Sequence, residues 1–297
     1  MHEETMNDYL QMSVHDLIPP MNRDPLDLAL KLFSGPLDLG CTLAGGFVRA
    51  LYRGDRLDDY FARTKSGVPG DVDIFLPGGI DAASVKDSIV SLKKDSNFLR
   101  SHAGFGWDDT LHPRRHGFTS HSVHVQFIDY PEFCSPDPVE VIDRFDFTNA
   151  AIAISLVEGK PTLTVHRKWK ELEKLRALEI KNVTSPFLGK RIVKYLKRKG
   201  LESVSSNSAP KITEWLARCS SSGQFVINGR SFDTVAKDGV MSLFASGLAP
   251  KEDIIMFLGK WEVVVSDRRE GDYAGFATNR TIDWARSHIQ DTFNATR

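Results

Sequence analysis

Leu43-Ala44-Gly45-Gly46-Phe47-Val48-Arg49, followed after a polar loop by Asp71-Val72-Asp73-Ile74-Phe75-Leu76, is the stretch whose reading decides the fold. Cys41 to Ala44 reads as a short strand, Gly45-Gly46 as a tight turn, and Phe47 to about Tyr52 as a helix. The second segment lies between Gly70 and Pro77-Gly78-Gly79, and its β-branched and aromatic content predicts a buried strand. Side chains alternate along a strand, so Asp71 and Asp73 project from one face while Val72 and Ile74 enter the core. The strand rise sets the two carboxylates roughly 7 Å apart. From there they can converge on two divalent ions, for which oxygen ligands favour Mg2+ or Mn2+. Glycines ahead of a helix let backbone approach a ligand, and the unpaired N–H groups of the first turn favour phosphate. Arg49, one turn in, is placed to contact phosphate or to brace a carboxylate.

Working outward, the first 22 residues read as an acidic, poorly patterned arm ending at Ile18-Pro19-Pro20, followed by a helix to Gly35-Pro36. Beyond the acidic strand, Ala82 to Lys93 has helical spacing of Val85, Ile89 and Leu92, and Val123, Val125 and Phe127 alternate with His124, Gln126 and Ile128 in a further strand. Asp137-Pro138 opens a short helix, and Phe145 to Leu156 reads as one more strand. In that strand Asp146 and Thr148 face away from Phe145 and Phe147, so an apolar segment displays a carboxylate that needs a partner, either metal or a salt bridge. From Thr164 onward the pattern turns helical, with stripes at Trp169, Leu172, Leu175 and Leu178, at Leu188, Ile192, Tyr195 and Leu196, and at Ile212, Trp215 and Leu216. The expected architecture is α+β: an arm (1–22), a mixed-sheet head with helices (23–160), and a helical C-terminal domain (161–297).

The ordered set Leu43-Ala44-Gly45-Gly46-Phe47-Val48-Arg49, Asp71-Val72-Asp73-Ile74 and a later Asp resembles the polymerase-beta-type nucleotidyltransferase superfamily, in particular the heads of CCA-adding enzymes and bacterial poly(A) polymerases. Phe145-Asp146-Phe147-Thr148 and the basic helices after it are similar to nucleotidyltransferases predicted from large phage genomes. The resemblance covers about residues 40 to 200. It implies a polymerase-beta-like head, an NTP substrate and two Mg2+ or Mn2+ ions. Gly45 and Gly46 would hold the triphosphate, with Arg49 and Lys194 also on the nucleotide. Asp71, Asp73 and Asp146 would bind the metals, so that an acceptor hydroxyl attacks the α-phosphorus and pyrophosphate leaves. Two departures bear on substrate: Ala50 follows Arg49 where CCA-adding enzymes usually carry an acid, and no Glu-Asp-x-x-Arg element is present.

The partner is read from charge. Lys+Arg total 38 and Asp+Glu 39, but Lys160 to Lys199 carries 13 basic residues against three Glu, +10 in one segment. Lys190, Arg191, Lys197 and Arg198 are placed to track a nucleic-acid backbone, which makes RNA, with tRNA among the candidates, the expected acceptor. The alternatives are a nucleotidyltransferase that modifies a protein or a small molecule, as in toxin and resistance systems, and a catalytically degenerate nucleic-acid-binding protein. The longest nearly uncharged apolar run, Phe147 to Val157, falls short of a membrane span, and the acidic start does not read as a signal peptide, so a cytoplasmic location without membrane contact is expected. Cys41, Cys134 and Cys219 form no CxxC pair, and the histidines at 102, 112, 116, 121 and 124 recur at spacings that zinc sites also use.

Overall fold

Eight strands, β1 (Tyr9–Ser13), β2 (Thr42–Ala44), β3 (Asp71–Phe75), β4 (Leu99–Arg100), β5 (Gly106–Leu111), β6 (Val123–Ile128), β7 (Ile152–Val157) and β8 (Lys160–His166), form one sheet in the order β1-β8-β7-β2-β3-β6-β5-β4. All neighbours are antiparallel except β3 and β6, which run parallel. The computed structural model describes residues 8–62, 70–89, 92, 98–100, 106–183, 188–198, 200–219, 226–227 and 230–266. The chain divides into two compact units, Met1–Phe145 with Asn149–Trp169, and Asp146–Thr148 with Lys170–Arg297.

In the first unit β2 and β3 lie mid-sheet, and Leu43, Val72, Ile74, Val125 and Phe127 are at most 1% exposed. Against them packs the Gly46–Arg53 helix, whose Phe47, Val48, Ala50 and Leu51 are equally buried. Each such side chain larger than alanine contributes about 1.5–3 kcal/mol over the exposed state. The helix stops at Gly54, which takes φ 76°, the left-handed conformation that lets the Gly54 and Asp55 amides bond back to the Leu51 and Ala50 carbonyls. Buried Asn22 donates from Nδ2 to the carbonyls of Ala50, Leu51 and Asp55, closing the same helix end from outside.

Three local expectations are corrected. Residues 9–13, read as unpatterned arm, form an edge strand: Tyr9 is buried, donates its hydroxyl to Asp143 at 3.0 Å and meets the His166 ring edge-on. Its other positions are exposed or half-buried, so backbone pairing with β8 holds it rather than alternation. Residues 160–166 continue the sheet as β8 instead of turning helical. The strand expected from Phe145 starts only at Ile152. Residues 145 and 146 bend, Phe147 makes one isolated bridge to Ile180, and Thr148–Ala150 is a single 3-10 turn.

The second unit holds the helices Leu188–Arg198, Ala209–Cys219, Phe232–Leu243 and Lys251–Ser266, and also a three-stranded sheet of Leu248–Pro250, Ser203–Ser205 and Ala177–Leu178. Leu178, expected in a helical stripe, belongs to this sheet. Trp215 is buried, as are Leu188, Ile192 and Leu216. Gly189 makes room for it, since a Cβ there would sit 2.7 Å from the indole Cη2. Glu179, 6% exposed, gathers Thr148 Oγ1, Ser205 Oγ and Asn207 Nδ2, so its burial is matched by donors. Among the described residues no helix is long and apolar enough to cross a membrane.

Candidate active site

β2 ends at Ala44, and the chain turns at the next residue. Gly45 adopts φ 79° and ψ −138°, a conformation essentially closed to side-chain-bearing residues. Its amide donates to the Ile152 carbonyl at 3.2 Å and its carbonyl accepts from Arg49 N at 3.0 Å, so the residue is fixed at both ends. Ala44 pairs with Asp73 across the sheet, and a Cβ at Gly45 would lie 3.1 Å from Asp73 Oδ2. The fold thus brings the glycine turn and the second strand carboxylate together, as backbone against side chain.

Gly46 is a glycine for a different reason. A Cβ there would run into the Tyr60 hydroxyl, and one at Gly70 would collide with the same ring. Tyr60 therefore lies between the helix start and the entry to β3, where its hydroxyl donates to the Asp71 carbonyl at 3.0 Å and its own carbonyl accepts from Gly70 N. Arg49, on the Gly46–Arg53 helix, is 1% exposed.

Asp71 and Asp73 are half-exposed on one face of β3, while Val72 and Ile74 are fully buried on the other. The parallel register sets His124 opposite Asp71 and Gln126 opposite Asp73. Gln126 Nε2 donates to Asp108 Oδ1 at 3.1 Å, and His124 Nε2 lies 3.7 Å from the same oxygen. The acidic strand thus continues into a polar strip, Asp71, Asp73, His124, Gln126 and Asp108, across three strands. The alternation in Val123–Ile128 announces that His124 and Gln126 share a face. Which strand they lie beside, and the part played by Asp108, emerge only from the register. Carboxylate oxygens on one face beside the space left open at Gly45 are a donor set suited to a hard divalent ion. Among the described residues no group of three or more His, Cys, Asp or Glu side chains is gathered to hold one.

The histidine-rich loop is held by its own side chains. His116, 5% exposed, has Nε2 3.0 Å from the His121 carbonyl, and burial keeps its pKa below the usual value. His112 Nδ1 accepts from Arg114 N at the start of the Pro113–His116 helix. His102 lies outside the described residues. Asp58 pins the far end of the loop, accepting from Ser120 N, Ser120 Oγ and Thr119 Oγ1 at 2.8 Å each, and these bonds, the Ser120 amide foremost, pull its carboxyl down to about 2. A carboxyl depressed in the fold stabilises it fully above the unfolded value near ~3.9 and loses that contribution as pH falls through about 2. Urea unfolding at about pH 5 and about pH 2.5 should therefore show a smaller acid loss in Asp58→Ala than in wild type. Equal losses in the two proteins would show that this cluster does not anchor the loop.

In the second unit, Asp146 is 1% exposed and its carboxylate oxygen Oδ2 is ion-paired with Arg191 Nη1. Its carbonyl accepts from Lys181 N at 2.7 Å and Asn182 N at 3.3 Å. Arg191 lies over the Phe147 ring at 5.9 Å, and Phe147 packs on Tyr195. Along the Leu188–Arg198 helix, Leu188, Ile192 and Leu196 are buried, while Arg191, Lys194 and Lys197 share the outer side at three-residue spacing. The side chains of Lys190 and Arg198 lie outside the described residues.

The mixed eight-stranded sheet with its helices has the fold of the polymerase-beta-like head. Solved structures of CCA-adding enzymes are similar to this chain. One in complex with CTP matches with a TM-score of 0.51 at 14% identity, over 85% of this chain and 55% of its own. One with ATP gives 0.45 at 16% over 72% and 47%, and the Thermotoga maritima enzyme complexed with tRNA gives 0.40 at 12% over 94% and 56%. The chain thus spans about half the length of each of these enzymes. No family model matches the chain, and no curated protein matches it.

Proposed function

We propose that this protein is a metal-dependent nucleotidyltransferase that moves a nucleoside monophosphate from an NTP to the 3′ hydroxyl of an RNA, tRNA included, with release of pyrophosphate. The observation that carries the reading is the placement of Gly45 in a glycine-only conformation directly against the Asp73 carboxylate, at the start of a helix. There, backbone that can approach a triphosphate and acids that can hold its counter-ions meet. The fold shared with a CCA-adding enzyme solved with CTP supports a head that handles NTPs. The large-phage likeness rests on residues 145–148 and the basic helices alone.

In this reading the turn at Gly45-Gly46 cradles the triphosphate and Asp71 and Asp73 hold the divalent ions. Bound ions supply charge neutralisation at the triphosphate and a lowered pKa at the attacking hydroxyl. The new bond joins the acceptor oxygen to the α-phosphorus, the bond to the bridging β-phosphate oxygen breaks, and the hydroxyl proton leaves to solvent or base. Lys194 serves the nucleotide, and Lys190, Arg191, Lys197 and Arg198 serve the RNA backbone. Each NTP, labelled, is incubated with Mg2+ and either total RNA or total cell protein. Label in RNA supports the proposal, and label only in protein moves it to the protein-modifying alternative.

The basic helix carries its own test. Lys194 and Lys197 are both exposed on one side of the helix, and each phosphate contact on single-stranded RNA contributes ~0.7 to the slope of log K against log salt. Lys197→Ala with Arg198→Ala should flatten that slope by about one to two units and weaken RNA of any sequence alike. A filter-binding titration across salt measures it, and a flat slope for the wild-type protein would remove RNA as the acceptor.

A further inference from the structure

Resting on the nucleotidyltransferase reading, we infer that Asp146 is a positioning residue for Arg191 and not a metal ligand, the pair forming a braced clamp for a phosphoryl group. The Asp146 side chain is wholly buried, while its partner guanidinium belongs to a side chain that is 47% exposed. An ion in water would have to displace Arg191 and open the fold to reach this carboxylate. Its backbone is bound as tightly, through the amides of Lys181 and Asn182, so the residue cannot swing outward without breaking those bonds. Removal of a buried carboxylate from its cation is costly, which makes the pair a fixed element.

The arrangement has a use at the other end of the pair. A guanidinium carries five N–H donors in a rigid plane. Asp146 takes one edge through Nη1 and the Phe147 ring supports the plane from one side. The exposed remainder lies on the same helix side as Lys194 and Lys197, where the local charge attracts anions. An arginine held in place loses less freedom on binding than one moving freely, and its planar donors match phosphoryl oxygens. The shared ligand chemistry is a phosphoryl oxyanion, supplied either by the triphosphate of a nucleotide or by the backbone of an RNA.

The test uses the full chain and two probes, inorganic tripolyphosphate and a short single-stranded RNA, with Mn2+ binding measured separately by electron paramagnetic resonance. Arg191→Ala should weaken one or both phosphate probes about tenfold, and the probe affected identifies the source. Asp146→Asn should weaken the same probe by several-fold and add little in the double variant. Added guanidinium ion should restore binding to Arg191→Ala but not to Arg191→Ala with Asp146→Asn, a rescue that a purely packing role would not give. Mn2+ affinity should fall in Asp71→Asn and stay at the wild-type value in Asp146→Asn. Loss of Mn2+ affinity in Asp146→Asn equal to that in Asp71→Asn overturns the inference, as does independent, additive weakening by the two substitutions. If Asp146→Asn does not fold, Arg191→Ala decides: a carboxylate that serves as metal ligand would bind Mn2+ more tightly once released, whereas a brace leaves Mn2+ affinity unchanged. Coupled phosphate binding in a wild-type protein that transfers no nucleotide would refute the nucleotidyltransferase reading and leave this pairing intact.

Discussion

Asp73→Asn is expected to reduce nucleotide transfer by about a thousandfold or more while the protein unfolds at an unchanged temperature. The substitution keeps the shape of a half-exposed side chain on β3, so Val72 and Ile74 retain their packing. The charge lost is the one that would hold a divalent ion against the triphosphate, and such ions contribute several kcal/mol to a phosphoryl-transfer barrier, where each ~1.4 kcal/mol is tenfold in rate. Asp71→Asn should behave alike. Initial rates with saturating NTP and Mg2+, set beside thermal unfolding, make the comparison. Wild-type rates in a folded Asp73→Asn protein would place the chemistry elsewhere.

Gly45→Ala is expected to destabilise the protein by about 1–3 kcal/mol, the cost of a side-chain-bearing residue in that backbone region, and to reduce transfer about a hundredfold beyond what the stability loss explains. The second effect has a separate origin. A new Cβ would press within 3.1 Å of Asp73 Oδ2, and small misplacements of a reacting group carry rate penalties of that order. Thermal unfolding separates the backbone contribution, and rates measured well below the unfolding temperature report the carboxylate. An Ala variant that is less stable yet fully active would mean that the carboxylate's position against Gly45 does not matter to catalysis.

What the sequence discloses here is local. The β2 strand, glycine turn and helix can be read from Cys41 to Tyr52, and β3 from Asp71 to Phe75, because breakers bound each segment and alternation or helical spacing fills it. The need for glycine at Gly46 has a further source outside its own segment, because a side chain there would meet Tyr60, from another helix. Residues 145–148 are legible as a motif but not as a structure. Alternation of Phe with polar residues predicts a strand, yet the polar groups find partners in Lys181, Asn182, Glu179 and Arg191, and those tertiary bonds outweigh the local pattern. The edge strand β1 is equally invisible, since backbone pairing with β8 makes it rather than any apolar repeat. Likewise the polar strip of His124, Gln126 and Asp108 beside the acidic strand depends on a parallel register that no local spacing encodes.

The most direct measurement is transfer from α-labelled NTP to two otherwise identical RNAs, one ending in a 3′ hydroxyl and one in a 3′-deoxy nucleotide, with pyrophosphate monitored in the same reaction. A nucleotidyltransferase built on Gly45, Asp71 and Asp73 labels the hydroxyl-ended RNA only, releases one pyrophosphate per nucleotide added, and gives neither signal with Asp71→Asn or Asp73→Asn. Label on the 3′-deoxy RNA, or transfer that persists in both variants, would contradict it.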